Sequence, residues 1–102
     1  MRNVLYSSEI VGTLHGGSGD ADVRVIIDAK YEEPSSTLVA TIETFLCSPG
    51  TEKRVTLSPA IILPKRQTIR EHVDLTEALD VAKQIFSAAT RKAHEIVSPA
   101  FR

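Results

Sequence analysis

Apolar positions along this chain keep two different rhythms. Up to about Leu63 they alternate with polar ones, the period of a strand with one buried face. From Asp74 to Val97 they recur every three to four residues, the period of a helix with one apolar stripe. The change predicts an α+β domain: a four-stranded, mostly antiparallel β-meander with one long C-terminal α-helix packed on one face, ββββα in chain order. With 102 residues a single domain is expected, its sheet over about residues 3–63, a connection over 64–73 and the helix over about 74–97.

The first strand is expected over about residues 3–14, kinked at Ser7-Ser8, before the glycine-rich hairpin loop His15–Asp20. The second has the clearest pattern. Val23, Val25, Ile27, Ala29 and Tyr31 fall on one face, and Arg24, Ile26, Asp28 and Lys30 on the other. Glu33-Pro34-Ser35-Ser36 turns the chain into a third strand. Leu38, Ala40, Ile42, Thr44 and Leu46 share one of its faces, with Val39, Thr41, Glu43, Phe45 and Cys47 opposite. Ser48-Pro49-Gly50-Thr51 puts Pro and Gly at the centre of a type II turn.

A fourth strand is expected from about Lys53 to Leu57, resuming at Ala60–Leu63 beside a sheet edge, because Pro59 and Pro64 have no N–H to donate. The next stretch, 65–73, has two readings. Thr68-Ile69-Arg70-Glu71 is a capping box for a short helix, while the alternation Ile69, Glu71, Val73 is that of a short strand. The main helix opens at Asp74 with Glu77 three residues on, and Ser98-Pro99 stops it. Its stripe comprises Leu75, Ala78, Leu79, Ala82, Ile85, Phe86, Ala89, Ala93, Ile96 and Val97. Leu79, Ala82, Phe86 and Ala89 are expected to meet Val25, Ile27, Leu38, Ala40 and Ile42.

One helix covers one sheet face. On the other, Ile26, Val39 and Phe45 stand among charged neighbours, with Val11 nearby, and are the candidate interaction surface for a protein partner or a second copy. The composition, 42% hydrophobic and 25% charged, is that of a folded globular chain rather than a disordered one. Residues 1–50 carry three basic groups against seven acidic ones, and residues 51–72 carry five against two. The basic run supplies a candidate anion contact, Lys65, Arg66 and Arg70. Glu71 adjoins it and no aromatic is interleaved for base stacking, so nucleic acid is not the expected partner.

The N-terminus has no secretory pattern, and the longest apolar run, Ala60–Leu63, is far too short for a bilayer. The lone Cys47 cannot form an internal disulfide, and a cytoplasmic location is expected. Motifs for chemistry fail on inspection. Gly16-Gly17-Ser18-Gly19-Asp20 lacks the strand-to-helix context of a nucleophile elbow and the Lys of a P-loop. His94-Glu95 has Ser98 where a zinc helix carries its second His. His15, His72 and His94 come from three separate segments, and Cys47 has no local base. No catalytic residue, metal or cofactor is expected. The expected function is that of a small bacterial-type interaction or accessory protein, a homodimer among its forms, acting through an open sheet face or edge. The alternatives are a small-molecule binder or enzyme with a site assembled from distant residues, and anion or nucleic-acid binding at 65–70.

Overall fold

The computed structural model describes residues 1–16, 19–55 and 65–97. Strands β1 (Arg2–Gly16), β2 (Gly19–Glu32), β3 (Thr37–Cys47) and β4 (Lys65–His72) form one antiparallel sheet in the order β1-β2-β3-β4, followed by helix α1 (Leu75–Val97). The ββββα architecture is therefore the one the two rhythms predict.

The pleat of β2 organises the core. Ala21, Val23, Val25, Ile27, Ala29 and Tyr31 are all buried, and the β2–β3 register sets Val25 opposite Thr44, Ile27 opposite Ile42, Ala29 opposite Ala40 and Tyr31 opposite Leu38. Directly opposed residues share a face, so this row forms one continuous apolar surface. α1 lies across it against β1, β2 and β3. Its start is pinned twice: the Tyr31 hydroxyl donates to the Val73 carbonyl at 2.8 Å, and the Val73 N–H donates to Ser36 O at 3.1 Å. Both turns flanking β3 work locally. Ser36 takes a left-handed φ of 49° at the end of the β2–β3 turn, and Gly50 takes φ 76° in the type II turn closed by Thr51 N–H to Ser48 O at 3.0 Å.

Three details differ from the sequence reading. The irregularities of β1 lie between Asn3 and Leu5 and between Ile10 and Gly12, not at Ser7-Ser8, which pair regularly with Ile27 and Ile26. Each shift is a bulge that turns an extra valine, Val4 or Val11, toward the core.

The fourth strand is 65–72, the strand alternative for that stretch, and it pairs with β3 from Thr37↔His72 to Thr44↔Lys65. It contains no proline, so every residue retains a backbone donor. Of the strand expected earlier, residues 56–64 lie outside the described residues. Residues 53–55 continue beside the end of β3 as a short bridge, with Cys47 opposite Arg54 and Val55 N–H donating to Leu46 O at 3.1 Å.

The buried side of α1 is also turned slightly. Ala78, Ala82 and Ala93 are buried, with Val81, Ile85, Phe86 and Ala89 packed beside them. Leu75 and Leu79 are instead 38% and 42% exposed. Small alanine side chains let the helix settle closely onto the sheet, which leaves the leucines on its flank. The side chains of Ile96 and Val97 and the residues of the Ser98-Pro99 stop are outside the described set.

A close helix–sheet contact leaves no room for added volume. Ala82→Leu is expected to destabilise the fold by about 1–3 kcal/mol in a urea titration. Gln84→Leu, on the exposed side of α1, should stay within about 0.5 kcal/mol of the parent.

Candidate functional site

Because opposed residues share a face, the side of the sheet away from α1 can be read in rows from β1 to β4. Asn3, Lys30, Val39 and Arg70 form one row. Tyr6, Asp28, Thr41 and Thr68 form the next, and Ser8, Ile26, Glu43 and Arg66 the third. Ile26 and Val39 therefore stand two rows apart with a polar row between them. Each has a charged residue beside it, and both are half-buried. They do not merge into one apolar patch.

Phe45 does not belong to an open surface at all. It is 3% exposed, because the chain after β3 closes over it. Arg54 lies 4.1 Å above its ring and binds Glu43 in a two-pronged contact of 2.6 and 2.9 Å. The adjoining turn is held down by Asp22, a buried carboxylate that accepts from Thr13 Oγ1 at 2.8 Å and from the Gly50 N–H at 3.2 Å. Arg24 donates to Ser8 Oγ at 2.7 Å and to Thr51 O at 3.3 Å. Cys47, also buried, donates its thiol to Asp22 O at 3.6 Å and packs as a small core residue. This end of the second face is thus sealed by the protein's own residues 48–55.

The pleat also divides the basic run. Arg66 and Arg70 lie on the second face, while Lys65, opposite Thr44, lies on the helix side. Arg66 faces Glu43 across the ladder, and Arg70 reaches to 3.8 Å from Glu32. The three cations do not converge, and two of them meet acidic neighbours. The histidines stand equally far apart. His15 pairs with Asp20 at the first hairpin, His72 ends β4 opposite Thr37, and His94 contacts the Val11 carbonyl at 3.2 Å. Among the described residues no three metal-ligating side chains gather. A concavity of about 710 Å³ lies at the β2–β3 turn beside the N-terminus and is lined by the Arg2–Glu33 ion pair, Tyr31 and Pro34.

Exposed apolar surface is found elsewhere, at the outer strand β1. Tyr6 and Ile10 are 65% and 43% exposed and flank Ser8 on the second face. Around the edge, a groove of about 370 Å³ runs between Glu9, Ile10 and Val11 and the helix residues Ser87, Thr90, Arg91 and His94. The sequence carried a signal for the Tyr6–Ser8–Ile10 alternation, but a kink placed at Ser7-Ser8 breaks it. The candidate site is therefore the outer edge of β1, which among the described residues pairs only with β2, together with the surfaces on either side of it. No family model, curated protein or solved structure matches this chain. No described helix is long and apolar enough to cross a membrane.

The cover over Phe45 has a measurable pH signature. The hydrogen bonds from Arg54 hold the Glu43 carboxyl below its ordinary value of 4.5, with smaller help from the charges of Arg54 and Arg66 against partial burial. A depressed folded-state pKa means stability that is present above the ordinary value and lost as pH falls through the lower folded one. Arg54 is 52% exposed, so solvent screening limits the pair to about 1 kcal/mol. Glu43→Gln is expected to cost that amount at pH 7. The difference should vanish in acid below the carboxylate range, as measured by urea unfolding at each pH.

Proposed function

We propose that this domain is a non-enzymatic interaction module that engages a protein partner through the outer edge of β1 and the sheet surface beside it. The observation that carries this reading is the placement of Tyr6 and Ile10. Two large apolar side chains alternate on an outer strand that, among the described residues, is paired on one side only. An outer strand presents unpaired N–H and C=O groups, and a strand supplied by a partner satisfies them by β-augmentation. Apolar side chains at alternate positions then add contact area and fix the register. Three side chains of reactive type have structural partners, which supports this reading: Asp22 holds a turn, Cys47 packs in the core, and Glu43 pairs with Arg54.

Gel filtration of a gently prepared extract tests this reading on the chain at its natural abundance. The wild-type chain is expected to travel well above its own 11.1 kDa. Tyr6→Glu with Ile10→Glu should return it to the size of the free chain while preserving its circular dichroism. A wild-type chain that travels at monomer size in the extract would contradict the proposal.

A further inference from the structure

We infer that the partner at the β1 edge is a second copy of this chain, joined β1 to β1, antiparallel, about a two-fold axis at Ser8; the inference rests on the interaction reading above and names its partner. The two outer strands of the sheet differ in how they are guarded. β4 carries Lys65, Arg66, Arg70, Glu71 and His72 along its eight residues, the charged edge that keeps other strands away. Between Val4 and Leu14, β1 has a single charged side chain, Glu9, and neither Lys nor Pro. One edge is protected and the other is left able to pair.

The register of such a pair is restricted. A two-fold axis perpendicular to the sheet keeps each face on its own side, and opposed residues must share a face, so the axis passes through a residue rather than between two. The regular stretch between the bulges, Leu5–Ile10, offers Ser7 or Ser8 near its middle. An axis at Ser7 sets Tyr6 against the partner's Ser8 and buries Leu5 against the partner's Glu9. An axis at Ser8 sets Tyr6 against the partner's Ile10, and Ile10 against the partner's Tyr6. It therefore places the two exposed apolar side chains of each copy in two matched cross-strand pairs. Ser7 then meets the partner's Glu9, and no like charges are opposed.

The other side of the edge fits the same partner. Thr90 and His94 of α1 line the groove beside Glu9–Val11. Leu79 lies eleven residues before Thr90, three turns along nearly the same line of the helix, and Leu75 one turn further back. Leu75 and Leu79 are thus exposed on the side of α1 that carries Thr90. Pairing of β1 with its copy joins two four-stranded sheets into one of eight strands and brings the groove beside Glu9–Val11 of each copy to the joint.

Purified chain at about 100 μM, a hundredfold above a micromolar dissociation constant, is expected to sediment as a dimer. Ile10→Lys, at an exposed position, should raise that constant at least tenfold, with a urea midpoint equal to the wild type's when both are diluted to monomers. Ser8→Cys faces its own copy across the axis, where opposed Cβ atoms lie about 4.5–5.5 Å apart, and should form an intermolecular disulfide on mild oxidation. Asn3→Cys, far from the axis, and the wild type, whose Cys47 is buried, should not. A purified monomer with a larger species in the extract would overturn the self-pairing and leave the interaction reading standing. Monomers in both would overturn both. A dimer in which Ser8→Cys stays reduced would overturn the register and with it the proposal.

Discussion

Burial of alternate residues along β2 is the constraint on which the rest of this domain depends. Six side chains from Ala21 to Tyr31 point into the core from one strand, and the registers of β1 and β3 are set against them. A slip of one residue by β2 against its neighbours would carry Arg24, Asp28 and Lys30 under the helix, and a slip of β3 against β2 would carry Glu43 there, which is why a single register is available. The same parity decides the fate of residues far from the core. It separates Lys65 from Arg66 and Arg70, and it aligns Tyr6 with Ile10.

The helix responds to that surface rather than shaping it. Alanines at 78, 82 and 93 allow a close approach, so larger residues at the margins of the stripe do not all reach the core. Hydrophobic periodicity alone treats Leu79 and Ala82 as equivalent members of one face. The two stand about 60° apart around the helix, and only Ala82 lies in the buried core.

This separates what the sequence made legible from what it did not. The faces of β2 and β3, the type II turn at Pro49-Gly50 and the long helix follow from local periodicity and local turn chemistry, and all are visible residue by residue. The fourth strand was ambiguous because Ile69, Glu71 and Val73 satisfy a strand pattern while Thr68 and Glu71 satisfy a helix-start pattern. The ladder to β3, a nonlocal contact, resolves the choice. The burial of Phe45 was hidden for a similar reason. Its cover comes from Arg54, whose approach depends on a turn anchored by Asp22 thirty-two residues earlier in the chain. For the candidate site, Ile26 and Val39 were readable as second-face residues. Their separation by a polar row appears only once strands are set side by side.

The contact between His94 and the Val11 carbonyl joins residues eighty-three positions apart in sequence. It places β1 and α1 on each other, so the lid of this core is made after the strands it covers. The greasy side of the β1–β3 meander is complete before any residue of α1 exists, and it must remain in water until the helix follows. For a newborn chain, then, the greatest hazard lies beneath the helix, on a surface that the finished protein never shows.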